Sequence, residues 1–333
     1  REDPVQKGLL YACTETGVYV SFDNGDRWQS LQLNLPTTSV RDLVVHENDL
    51  VIATFGRSFW VLDDITPLRQ LNSQVQSSDA WLFAPQPAHR VRPGSDQGTP
   101  VPMDEPLSAN PPDGAVIDYY LKEKSASPVH LEIFDSQGKL VRRFASDDNL
   151  QPTNPNSIQF QTIWIRDPKP LPNQSGMHRF VWDLHYALPP GVQRSFFFSA
   201  GPWAVPGNYS VKLTANGKRV AQPLIVLRDP RSNASAEVLQ QQFALVSQLS
   251  ESLEQVSIAL RQAKDLRKQI DERKKDAAAK RELIASLDSF NQKMEIAAEP
   301  DSDNDFMLFG LALPDKAREP LPRIQSALTG LLI

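Results

Sequence analysis

The chain has 333 residues, 40% hydrophobic and 23% charged, with a formal net charge of -5. Those proportions describe a folded chain of two or three domains and exclude a disordered one. So small a charge offers no polyanion footprint, and the longest apolar runs, such as Gly310–Leu313, fall far short of the roughly 20 residues a bilayer span needs; neither nucleic acid nor a membrane span is expected.

The single cysteine, Cys13, excludes a disulfide framework and any CxxC motif, and reads as a small buried apolar side chain. Arg1–Pro4 is charged, without the apolar core of a signal peptide, and the chain is expected to begin inside a domain. Over residues 1–70, short strands are predicted at Leu9–Thr14, Val18–Phe22, Trp28–Leu33, Val40–His46, Leu50–Phe55 and Ser58–Leu62, broken by Asn24–Gly25, Glu47–Asp49 and Gly56. Close spacing without helical period implies an antiparallel meander, about one and a half four-stranded propeller blades at ~40–45 residues per blade. A blade buries its faces only against neighbours, so the remainder of a propeller, from the same precursor or another chain, is the first expected partner.

Within that meander, Ser21–Trp28 fits the pattern Ser-x-Asp-x-Gly-x-x-Trp through Ser21, Asp23, Gly25 and Trp28. Asp23 can accept from turn amides, Gly25 can take positive φ, and Trp28 is expected to fold back as an apolar lid with its ring packed inward. The motif resembles the Asp-box, or bacterial neuraminidase repeat, of sialidases, sortilin-type receptors and xyloglucanase-like propellers. There it lies on the outer rim of a blade, which implies a structural role for Asp23 and Asp26. The segment Asp49–Leu71 is similar to the closing strands of large bacterial sortilin-like and glycosyl-hydrolase-like proteins. A histidine often precedes the Gly-Arg pair in those relatives; here Phe55 stands before Gly56–Arg57.

Beyond this, Trp81–Pro85 reads as one more edge strand and Arg92–Pro112, dense in proline, as an extended connector. Residues 113–229 return to strands at Ala115–Leu121, Val129–Phe134, Leu140–Phe144, Ile158–Trp164, His178–Leu184, Asn208–Thr214 and Ala221–Leu227, a pattern that suggests a β-sandwich. Val129–Asp135 with Gly138–Arg142, and Phe180–Asp183 with Pro206–Val211, resemble the immunoglobulin-like domain of flagellar hook-capping proteins. Tyr209 then sits where a tyrosine corner could pin a strand crossing. Between these strands an inserted loop carries Arg194, Phe196, Phe197 and Trp203, candidate contacts for a sugar or protein partner, with edge packing as the plainer role.

From residue 234 the pattern steps by three or four through Leu239, Phe243, Val246, Leu249, Leu253, Val256, Leu260, Ala263, Leu266 and Ile270, which predicts one helix over Ser235–Ile270, capped by Ser232 or Asn233. Asp271–Asp276 reads as a reversal, Leu283–Met294 as a second helix against which Leu253 packs, and Leu321–Ile333 as a short third. Asp301–Asp305 begins like a calcium loop but lacks the glycine and the closing glutamate. The histidines show no ligand spacing, and no catalytic constellation, metal site or cofactor cradle can be assembled.

The fold class expected is therefore multidomain and mainly β: partial β-propeller blades, an immunoglobulin-like β-sandwich and a C-terminal α-helical hairpin or three-helix bundle. The function expected is a non-catalytic structural and binding region of an extracytoplasmic propeller protein, secreted, periplasmic or at the cell surface, with a glycan or protein ligand. The alternative is the accessory tail of a glycoside hydrolase whose carboxylates lie upstream.

Overall fold

The computed structural model describes residues 1–91, 113–150, 169–190, 200–276, 284–286 and 288–289. It is mainly β with a long C-terminal helix, and it divides into two compact units: Arg1–Asp183 with Pro206–Pro230, and Leu184–Val205 with Arg231–Ile333.

The first unit opens with two three-stranded antiparallel sheets. One contains β1 (Leu10–Cys13), β2 (Val18–Ser21) and β3 (Gln29–Ser30); the other contains β4 (Val40–His46), β5 (Asp49–Thr54) and β6 (Phe59–Leu62). The strands fall where the β-branched and apolar runs predict, and no helix interrupts Leu9–Leu62. Between the sheets, Leu9, Tyr11, Val18, Val20, Val40, Leu43, Leu50 and Ile52 form a buried core, with Cys13 half-buried against it. Burial pushes the Cys13 thiol above its ordinary value, as suits a packing residue.

Two short helices follow, α1 (Thr66–Gln70) and α2 (Ser73–Ser77). Their signals are terminal rather than periodic. Pro67 stands in the first turn of α1, and the Asn72 side chain caps α2 by accepting from the amides of Gln74 and Val75 at 2.9 and 3.0 Å.

The rest of the unit is two more sheets. β7 (Ala80–Leu82), β9 (Ala115–Leu121) and β12 (Gly176–Trp182) run in the order β12-β9-β7; β8 (Ala88–Arg90), β10 (His130–Asp135), β11 (Leu140–Ala145), β13 (Gly207–Ala215) and β14 (Lys218–Arg228) run in the order β11-β10-β13-β14-β8. β8 is parallel to β14, the other pairs antiparallel. The two sheets face each other. Trp182 of β12 meets Tyr209 of β13 edge-on at 5.5 Å, and Phe144 of β11 meets Phe180 of β12 at 4.5 Å. The facing side of β9 is Ala115, Ile117, Tyr119 and Leu121, all buried, as period-two alternation requires. Gly114 turns into β9 at φ 135°, where a side chain would also run into the Trp182 carbonyl. The strand expected at Ile158–Trp164 and the connector at Arg92–Pro112 lie outside the described residues.

In the second unit α3 runs over Ala236–Asp276. The expected reversal at Asp271–Asp276 is thus corrected: the helix continues through it. That stretch holds no Gly or Pro, and its Glu, Arg and Lys residues are good helix formers, with Lys268 and Glu272 an opposite-charge pair four apart. The start differs as well. Ser235, rather than Ser232 or Asn233, caps the helix by accepting from the Val238 amide at 3.4 Å. The buried face consists of Ser250, Leu253, Ser257, Leu260, Ala263 and Ile270, whereas Leu266, expected among them, is exposed. Two successive steps of three, from Leu260 through Ala263, carry Leu266 about 120° around the helix from Leu260, whereas the seam continues through Ile270. Residues 284–286 and 288–289 are helical; Leu283, Leu287, Phe290, Met294, Asp301–Asp305 and Leu321–Ile333 lie outside the described residues.

Candidate functional site

The Ser21–Trp28 turn is built by its short side chains. The Ser21 hydroxyl, fully buried, donates to Asp23 Oδ1 at 2.8 Å and accepts from the Gly25 amide at 2.9 Å. Asp23 Oδ1 also accepts from the Arg27 amide at 2.9 Å. That amide first, then the Ser21 hydroxyl, hold the exposed Asp23 carboxyl below its ordinary value. Asn24 and Gly25 both adopt positive φ, 59° and 96°. Trp28 corrects the expectation of an inward ring: it is 43% exposed. β3 is a two-residue edge strand with both residues exposed, and the space between the sheets is already filled by Leu9, Tyr11, Val18 and Val20. The ring lies instead over Gly25, near enough that an alanine methyl there would touch it. Trp28→Ala should therefore cost less than about 1 kcal/mol in urea unfolding, against the 3–5 of a buried aromatic.

Of the loop residues proposed as partner contacts, Arg194, Phe196 and Phe197 lie outside the described residues. Trp203 is half-buried and meets His185 edge-on at 4.8 Å, at the base of the same loop. Nearby, Tyr186 stacks at a tilt on Phe243 of α3 at 5.1 Å. Trp203 is thus engaged within its own unit.

Two arginine clasps were not legible in the sequence. Arg69 of α1 donates through Nε to both Asp3 oxygens at 3.0 Å, through Nη1 to Asn48 at 2.6 Å and through Nη2 to the Glu47 carbonyl at 3.0 Å. Burial pushes the Asp3 carboxyl up, but the amides of Gln6 and Val5, and then Arg69, outweigh it and hold it below its ordinary value. In the second clasp, Arg179 of β12 pairs with Asp118 across from it on β9, at 2.9 and 3.0 Å, and donates to the carbonyls of Asp63 and Asp64 at 2.6 and 2.8 Å. Burial works against the Arg179 charge, but Asp118, followed by Asp64 and Asp63, drives its affinity for a proton still higher.

Further carboxylates of the first unit are held by backbone amides. Asp49 accepts from the Asp64 amide, and Asp64, just before α1, accepts from the Thr66 amide. Asp148 accepts from the Ala145 amide at 2.7 Å. Among the described residues, no three His, Cys, Asp or Glu side chains converge as a metal site, and no helix is long and apolar enough to cross a membrane.

The sheet β4-β5-β6 presents a second apolar face. Val44, Val51 and Val61 stand side by side across the strands, as do Asp42, Ala53 and Phe59. Phe59 is 75% exposed and Val61 52%, with Phe55 and Val44 also open. The opposite face of the same strands is core. The signal was present: Leu43–Val45 and Leu50–Ala53 are continuous apolar runs, the pattern of strands that need cover on both sides.

Compared with protein-family models, curated proteins and solved structures, the chain matches none.

Proposed function

We propose that this chain is a non-catalytic structural and binding region of an extracytoplasmic β-propeller protein. Residues 1–71 are its last blades, residues 113–229 an immunoglobulin-like sandwich and residues 234–333 a helical bundle. The observation that carries this reading is the two-sided apolar sheet β4-β5-β6. A sheet that merely caps a core keeps a polar outer face, whereas a blade is held between two neighbours and needs apolar residues on both. The remainder of the propeller, from the same precursor or another chain, would cover Val44, Phe55, Phe59 and Val61. The self-contained Ser21–Asp23–Gly25 turn supports the same reading, and the assembled propeller would capture a glycan or protein. Asp3, Asp49, Asp64 and Asp118 favour binding over hydrolysis, since each is committed to an arginine or an amide.

The test is dye binding. The purified chain should enhance the fluorescence of an anilinonaphthalene sulfonate probe, and Phe59→Ser with Val61→Ser should abolish most of that signal while the fold is retained. A signal indifferent to both substitutions would remove the basis for the proposal. The chain should also turn over no glycoside or peptide; turnover lost on a single Asp or Glu substitution would overturn the non-catalytic assignment.

A further inference from the structure

The exposed side of α3 carries a repeat of its own. Gln241, Gln248, Gln255, Gln262 and Gln269 recur at strict seven-residue intervals, and all five are exposed. Midway between them stand Val238, Leu245, Ser252, Ala259 and Leu266. Together they form a seam that alternates steps of three and four and holds no charged residue over about 47 Å of helix. Val238, Leu245 and Leu266 are open to solvent along it. The seam is separate from the buried one through Leu253 and drifts around the helix in the same sense, as two adjoining faces with a seven-residue repeat must.

We propose that this glutamine seam pairs with the same seam of a second copy of the chain, parallel and in register. The chemistry selects that occupant. A glutamine amide both donates and accepts, so two facing glutamines satisfy each other reciprocally. Parallel, in-register pairing sets every glutamine against its own counterpart and every apolar or small residue against its own. Antiparallel pairing would set glutamines against Val238, Leu245 and Leu266, leaving desolvated amides without partners. The flanks contain no clash of like charges: Glu251 and Asp265 border the seam on one side, and the positions bordering it on the other, Leu249, Val256, Ala263 and Ile270, carry no charge. Polar layers fix register at a cost in stability. Here α3 is already ordered by burial of its Leu253 seam within one chain, so association need not also fold the helix. This inference is independent of the propeller reading.

The experiment is sedimentation equilibrium of the full 333-residue chain. A concentration-dependent monomer–dimer equilibrium is expected. Gln248→Glu with Gln255→Glu should weaken it at least tenfold while leaving the far-UV spectrum and the melting of the dilute monomer unchanged, since both positions are exposed in one chain. Phe59→Ser with Val61→Ser should leave it unaltered, which separates this seam from the apolar sheet face. Gln255→Cys should cross-link to its counterpart on oxidation, whereas Gln240→Cys, off the seam, should not. A chain that stays monomeric at every concentration, a dimer indifferent to the Glu substitutions, or one that fails to cross-link at residue 255 would each overturn the proposal.

Discussion

Replacing Arg69 with alanine is expected to destabilise the first unit by about 3–5 kcal/mol, the range for breaking a buried ion pair from one side. The Asp3 carboxylate has no exposed surface and the Arg69 side chain is only 9% exposed. Removing the guanidinium would leave that buried carboxylate without its counter-charge and release the Asn48 and Glu47 oxygens as well. The reverse substitution, Asp3→Asn, gives the effect its pH dependence. Asp3 titrates lower in the folded than in the unfolded chain, despite its burial, because the Gln6 and Val5 amides and Arg69 favour its charged form. Its contribution is therefore complete above the unfolded value of about 3.9 and disappears as pH falls through the folded one. Urea unfolding of the parent and of Asp3→Asn should differ most at pH 7 and converge towards pH 2. A gap that persists at pH 2 would mean that Asp3 acts through packing rather than charge.

Leu253→Ala should cost about 2–5 kcal/mol in the thermal unfolding of α3, followed by circular dichroism at 222 nm. Leu253 is 0% exposed within a single chain, whereas Leu245, eight residues earlier on the same helix, is 58% exposed. Leu245→Ala should accordingly change the stability of the dilute monomer by no more than about 0.5 kcal/mol. The pair controls for helix propensity, since both replace leucine with alanine in one helix. Equal effects would mean that the Leu253 seam is not a core.

Local features were legible in the sequence, and features that join distant segments were not. β4 and β9 fall on the predicted runs, because apolar alternation bounded by turn residues is a property of neighbours along the chain. The Ser21–Asp23–Gly25 bonds close within five residues and could be anticipated for the same reason. The direction of the Trp28 ring could not, since its spacing fits both a lid over Gly25 and an inward anchor. Nor could the membership of β8: Ala88–Arg90 carries no apolar run and is a strand only because β14 offers it an edge. Arg179 and Asp118 are unremarkable residues 61 positions apart until β12 and β9 pair and set them opposite each other. The run Asp271–Asp276 resembles a reversal because dense charge is common in loops, although its Glu, Arg and Lys residues favour helix. Reading apolar positions only also hid the glutamine repeat, which carries its pattern in amides.

The Arg179 clasp has a consequence for the order in which the molecule is made. Arg179 lies 116 residues beyond Asp63, so their contact closes a long loop, and nothing in it can form until β12 has been synthesised and paired with β9. Until then the Asp63 and Asp64 carbonyls, with Asp64 in a left-handed conformation at φ 52°, lack the guanidinium that holds them. The turn that leaves the first two sheets is therefore completed only by a side chain from a strand that emerges much later.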